Sequence, residues 1–145
     1  MAKKTTNPIE SDFSAAIQDA FDGWCQRVER GRGMRDGFPD LVFLLPQGLQ
    51  LCELKIGSVI DGVLWPDEVR PSQIQFHHEL ADNGGQSFFL VGVWMGDRWA
   101  AYAFDGTVAR HWETTGFVVG ETCFEIDMNN LFESLTEYVY QQLEN

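Results

Sequence analysis

Phe13, Ala16, Ile17, Ala20, Phe21 and Trp24 recur at the i, i+3, i+4 spacing of an amphipathic helix, which predicts helix from Asn7 to about Glu29. Asn7 suits the N-cap, Pro8 the first helical position, and Glu10 stands three residues after the cap, where a capping box places a carboxylate. From Arg30 to Pro39 the glycines at 31, 33 and 37 interrupt any period and predict a loop. The short apolar runs Leu41 to Leu45 and Leu49 to Lys55 flank Pro46, Gln47 and Gly48, the pattern of a hairpin whose strands are covered on both faces. Residues 57 to 71, with two glycines and two prolines, predict an irregular surface loop.

Ser72 caps a second predicted helix that runs to about Asn83 and ends at Gly84 and Gly85. A second hairpin follows, Phe88 to Met95 and Trp99 to Phe104, turning at Gly96 and Asp97. Residues 105 to 129 carry weaker signals, with further strand character at Phe117 to Val119 or Cys123 to Ile126. A last helix from Asn130 to Leu143 sets Leu131, Leu135, Tyr138 and Val139 on one face. This order predicts an α/β domain with one central mixed sheet and helices on its faces.

At 145 residues the chain fits a single domain, which needs no metal or disulfide to fold. No apolar run approaches the roughly 18 residues of a membrane span, and the first seven residues carry no signal-peptide core, so a soluble cytoplasmic protein is expected. Cys25, Cys52 and Cys123 are odd in number, lack a CxxC spacing, and are expected reduced and mostly buried. Trp65, Trp94, Trp99 and Trp112 are expected in the core or at its rim.

The net charge of -12 works against nucleic-acid binding, but it is unevenly placed. Residues 1 to 70 hold eight Lys or Arg against eleven acids; residues 71 to 145 hold two against eleven. Four arginines, Arg27, Arg30, Arg32 and Arg35, fall just before Asp40, and Arg70 precedes the second helix; together they form a candidate phosphate-binding patch. The acidic second half suits a basic protein partner.

The candidate chemistry sits on the first hairpin. A turn centred on Gln47 and Gly48 puts Asp40 opposite Lys55 and Val42 opposite Glu53. Asp40, Glu53 and Lys55 then share one face at one end of the ladder. A buried ion-pair cluster is the plainer reading of those three. Two carboxylates and an ammonium in apolar surroundings are costly unless they pair or hold a cation, and their oxygens suit Mg2+ or Mn2+. Such a group hydrolyses phosphodiesters, with the lysine orienting the attacking water.

Pro39-Asp40, twelve intervening residues, then Glu53-Leu54-Lys55 resemble the motif of PD-(D/E)xK nucleases. Gly37-Phe38-Pro39-Asp40-Leu41 and Arg70-Pro71-Ser72-Gln73 are similar to phage-type members near the VRR-NUC group. The resemblance covers roughly residues 10 to 95, and nothing after Met95 matches a family motif. It implies a restriction-endonuclease-like αβββαβ core over about residues 8 to 95, with residues 96 to 145 as a C-terminal elaboration ending in a helix. It also implies a metal held by Asp40, Glu53 and the Leu54 carbonyl, Lys55 as catalytic lysine, Glu10 completing the metal site, and Gln73 approaching it. His77 shares the side of Gln73; a histidine pair such as His77 and His78 is ordinarily packing or surface.

The function expected is a Mg2+- or Mn2+-dependent DNA endonuclease, with RNA as a further substrate, dimerisation as the route to cutting two strands, and the host cytoplasm as its location if phage-encoded. Two rivals stand beside it. One is a catalytically silent, acidic DNA-mimic or partner-binding protein on the same fold. The other is a structure-specific junction resolvase.

Overall fold

The computed structural model describes residues 8 to 29 and 36 to 144. The chain folds as one mixed sheet with helices on both faces. Helix α1 (Glu10–Ala20) is followed by strands β1 (Cys25–Arg27), β2 (Leu41–Leu45), β3 (Gly48–Ile60) and β4 (Val63–Pro66), then helix α2 (Pro71–Asp82). Strands β5 (Ser87–Trp94) and β6 (Trp99–Asp105), a 3-10 turn at Gly106–His111, strands β7 (Phe117–Val118) and β8 (Phe124–Ile126), and helix α3 (Leu131–Glu144) complete the chain. The sheet runs β1-β2-β3-β5-β6-β8, with β4 pairing β3 and β7. Only β3 and β5 run parallel among the named strand pairs, because α2 carries the chain back across the sheet between them. The expected αβββαβ order is present as α1, β1 to β3, α2 and β5. No helix among the described residues is long and apolar enough to cross a membrane.

Strand alternation divides the core. One sheet face carries Leu41, Phe43, Cys52, Leu54, Phe88, Leu90, Ala101 and Ala103, covered by Phe13 and Ile17 of α1, by Phe21 just after it, and by Leu131, Leu135, Tyr138 and Val139 of α3. The α3 face is the one the periodicity predicts. The other face carries Phe89, Val91, Val93 and Phe104 and packs against Leu64, Val69, Ala109, Phe117 and Ile74. Gln47 donates from its side chain to the Thr136 carbonyl at 3.0 Å, which ties the β2–β3 turn to α3.

Several expectations are corrected. The first helix is shorter than its period suggests: Ile9 is its N-cap, it ends at Ala20, and Cys25–Arg27 form a strand. Asn7 lies outside the described residues. The capping carboxylate is Asp12, which accepts from Ile9 N at 2.8 Å, so Glu10 has no capping duty. Phe13, Ile17 and Phe21 are buried as the stripe requires, while Trp24 is 51% exposed and follows the helix.

The β2–β3 turn is centred on Pro46 and Gln47, since Leu45 pairs with Gly48. The hairpin is not covered on both faces at its turn end, where Leu44 and Leu49 are exposed. The loop expected over residues 57 to 71 is largely a second hairpin, β3 into β4, turning at Asp61 and Gly62. Both have positive φ, 52° and 78°, as a type I′ turn demands, and the Asp-Gly pair between apolar runs was a readable signal for it. Arg70, not Ser72, caps α2, with Pro71 in the first turn. Both weak strands after residue 105 form, as β7 and β8. The three cysteines are free; Cys52 and Cys123 are buried and Cys25 is partly exposed.

Gly92 of β5 sets the seat of α1, because a Cβ there would lie 2.4 to 2.7 Å from the Phe13 ring. Gly92→Ala therefore displaces α1 and lowers stability by about 1–3 kcal/mol in urea denaturation, with part of the loss recovered in Gly92→Ala/Phe13→Leu. Additive losses in the double variant would show that the two positions do not share the strain.

Candidate active site

β3 outruns β2. The β2–β3 ladder covers only Gly48 to Cys52, and β3 continues to Ile60. In this register the next residue across from Leu54 is Pro39, which has no N–H, so the ladder offers no donor for the Leu54 carbonyl. The Leu54 N–H is taken by a side chain instead: Asp40 Oδ2 accepts it at 3.0 Å. A strand residue directs its N–H and C=O toward the same neighbour, so the Leu54 carbonyl looks to the edge where Asp40 sits. The Pro-Asp pair thus ends the ladder, frees a backbone oxygen and fixes a carboxylate beside it.

Glu53 is directly across from Asp40 in the observed register, and Lys55 is two residues further along the same face. The expected pairing of Asp40 with Lys55 is corrected by this shift. Because the two registers differ by two in the sum of paired residue numbers, each side chain keeps its face, and the expected cluster forms.

Glu10 reaches the same place from α1. Glu10, Asp40, Glu53, Lys55, Glu68, Arg70 and Gln73 line one cleft of about 320 Å³. Glu10, Asp40 and Leu54 also border a neighbouring hollow with Arg27. The approach of α2 is fixed by the loop before β2. Gly37 has φ +92°, and a Cβ on it would lie 2.3 Å from the Ser72 carbonyl oxygen, so glycine lets the loop lie directly on the first turn of α2. Phe38 packs on Phe76 with ring centroids 5.2 Å apart.

Gln73 is buried and does two jobs. Its Oε1 accepts from Arg70 N at 2.9 Å, holding the start of α2, and its Nε2 donates to Glu53 Oε1 at 2.5 Å. His77, one turn on, is also buried, with Nδ1 bonded to Ser87 Oγ and its ring against Phe89. Burial lowers its pKa to about 4, so it is a neutral packing residue. His78 lies near Arg110, 3.5 Å away, apart from the cleft. Arg27 and Arg70 border the site, Arg70 facing Asp36 at 3.6 Å. Arg30, Arg32 and Arg35 lie outside the described residues. Glu68 was missed in the sequence because it sits in a stretch without period; its only signal is its place two residues before Arg70.

The electrostatics are those of a site short of positive charge. Among the described residues, four carboxylates in the cleft face two cations. Glu53 is 1% exposed, and desolvation, followed by the Asp40 charge, pushes its carboxyl up to about 9. Its Oε2 is buried with no donor among the described residues, and the proton the group holds in the neutral form is turned toward the Asp40 carboxylate. Burial also raises Glu10, with Lys55 opposing and Asp40 adding to the shift. Among the described residues no group of three or more His, Cys, Asp or Glu forms a ready-made metal cage. A hard divalent ion that keeps several waters needs less than that: one or two carboxylates and a backbone carbonyl, which Asp40, Glu53 and Leu54 would supply. The Glu53 oxygen without a donor and the excess of carboxylates fit such an ion.

No family model matches this chain, and no curated protein matches it. Among solved structures it is similar to Hjc, a Holliday junction resolvase from the archaeal hyperthermophile Archaeoglobus fulgidus. The two share 17% identity at a TM-score of 0.49, over 90% of this chain and 96% of that one. The function is therefore argued from the site itself.

Glu53 also makes stability pH-dependent in metal-free protein. Its folded pKa exceeds the ordinary 4.5, so the folded chain keeps a proton that the unfolded chain releases, and stability falls as pH rises through this window. His77, lowered from 6.5, has the opposite slope, but only below about pH 6.5. Between pH 6.5 and 8.5 in EDTA, Tm of the parent should decline while that of Glu53→Gln stays flatter and higher, by about 4 °C for each kcal/mol relieved. Parallel Tm curves for the two proteins would refute a protonated Glu53.

Proposed function

We propose that the chain is a PD-(D/E)xK nuclease, a Mg2+- or Mn2+-dependent endonuclease acting on DNA. The observation that carries the reading is the convergence of Asp40, Glu53, Lys55 and a Leu54 carbonyl to which the ladder offers no donor, at the edge that β2 leaves open. A silent binding module has no use for a buried carboxyl set against a second acid there. A structural ion-pair cluster would match its charges, whereas the described residues of this cleft set four acids against two bases.

In this reading Asp40, Glu53 and the Leu54 carbonyl hold the ion, and Glu10 extends the site from α1. The ion when bound offsets the carboxylates, so a phosphodiester can enter, and acidifies water at neutral pH. The chain's own groups do the rest. Lys55, on the face of Glu53 and in the same cleft, orients the attacking water and offsets charge on the phosphate. Gln73 fixes the Glu53 carboxylate through its Nε2 and is a positioning residue. Arg27 and Arg70 neutralise flanking phosphates, joined by Arg30, Arg32 and Arg35. Since Glu53 takes up a proton when metal-free, metal binding releases one and tightens as pH rises. The Gly37 to Leu41 and Arg70 to Gln73 segments support a phage-type member near the VRR-NUC group. Cutting both strands of a duplex calls for two copies or two visits.

The test is incubation with Mn2+ or Mg2+ and a panel of linear, circular, single-stranded and four-way branched DNA. The parent should cut at least one form, and Glu53→Ala and Lys55→Ala should each slow the cut by about 10²–10⁴-fold. Gln73→Ala should lose less, through weaker metal affinity. The preferred form separates a general endonuclease from a junction resolvase. An intact panel with a parent that binds the ion would rule out the nuclease reading and favour the acidic binding protein.

A further inference from the structure

The sheet face that carries the site continues as an apolar floor. Val28 N donates to the Asp40 carbonyl at 2.8 Å, Gln26 pairs with Val42, and Leu44 N donates to the Trp24 carbonyl at 3.0 Å, all in one antiparallel register. Across β2, Leu44 pairs with Leu49 and Val42 with Leu51. Three rows of one face therefore run in order: Val28, Asp40 and Glu53; then Gln26, Val42 and Leu51; then Trp24, Leu44 and Leu49. The last row is exposed by 51, 47 and 63%, although Leu44 and Leu49 belong to a strand pair whose other face is core. It stands about 13 Å from the carboxylate row, four residues along each strand at about 3.3 Å per residue. That is a span of a few nucleotides.

We propose that the row Trp24, Leu44 and Leu49 seats unpaired bases of the substrate, so that the nucleic acid leaving the site is single-stranded there with a base stacked on Trp24. The inference rests on the nuclease reading and names its substrate class. A phosphate gains nothing on an uncharged apolar floor, whereas every base has an apolar face to stack. In a chain of net charge -12 phosphate neutralisation is confined to the local arginine patch, so contacts that salt does not screen add to its affinity. Paired bases hide their faces in the duplex stack, which leaves unpaired ones. A second copy of the chain is disfavoured by size. Three half-exposed side chains present at most a few hundred Å², short of the roughly 800 Å² per partner of a stable interface.

The test uses the full chain carrying Lys55→Ala and a fluorescent 20-nucleotide strand, alone or in duplex, with anisotropy as the readout. Trp24→Ala and Leu49→Ser should each weaken single-strand binding by about tenfold, with less than twofold effect on duplex, and Trp24→Phe should restore most of the loss. All three positions are on the surface, and unchanged Tm values confirm folding. Equal loss on both DNA forms, no loss on either, no binding by the parent, or a parent dimer that Trp24→Ala converts to monomer would each overturn the base seat. Cleavage by the chain with Lys55 intact is read alongside. Cutting with Trp24-independent binding overturns only the base seat, whereas single-strand binding that depends on Trp24 without any cutting overturns only the nuclease reading.

Discussion

The thirteen residues of β3 meet only five on β2, and β4 takes up Gly57 to Ile60, which leaves a short open stretch of strand edge between the two partners. Unpaired backbone groups at such a place must find partners or face water. Here the Asp40 carboxylate takes the Leu54 N–H, and Pro39 removes the donor that would otherwise have claimed the Leu54 carbonyl. The neighbouring elements are arranged round that edge. α1 brings Glu10 to it from one face, and α2 brings Gln73 to it from the other. The glycine-bearing loop before β2 settles on the first turn of α2 and so fixes Asp40 and Gln73 relative to each other.

The same edge explains the charge state. Glu53 is on a central strand between Asp40 and the parallel strand β5, so it is removed from water and placed beside a like charge. Both effects favour the neutral acid, and Lys55 offsets only part of them. Gln73 satisfies one oxygen and leaves the other with no donor among the described residues. A carboxylate held this way is a poor structural element and a good receiver for a cation, which is the usual trade between stability and function at a preorganised site.

The motif residues were legible because their chemistry is local: a proline that ends a ladder, a carboxylate next to it, and an alternating strand that puts Glu53 and Lys55 on one face. Even the wrong hairpin register preserved the cluster, since an error of two leaves every side chain on its own side of the sheet. An error of one would have scattered it. Asp61 and Gly62 were equally legible as a turn, yet the two prolines and two glycines of residues 57 to 71 masked them. The first helix was overextended because Trp24 continues its period by coincidence. Strand pairing with Leu41, Val42 and Phe43 captures residues 25 to 27, and a sequence pattern has no knowledge of a strand still to come.

The sequence by itself therefore determined the second and third helices, the strands of the first and last hairpins, the α3 face, the turn at Gly96 and Asp97, and the grouping of Asp40, Glu53 and Lys55, all of which depend on spacings within a few residues. Tertiary structure alone decided which carboxylate opposes which and freed Glu10 by giving its cap to Asp12. It also brought Glu68 into the cleft and aligned Trp24 with Leu44 and Leu49 on the sheet face of Asp40 and Glu53. Those outcomes depend on contacts between segments tens of residues apart, and only the closing of the sheet sets their distance.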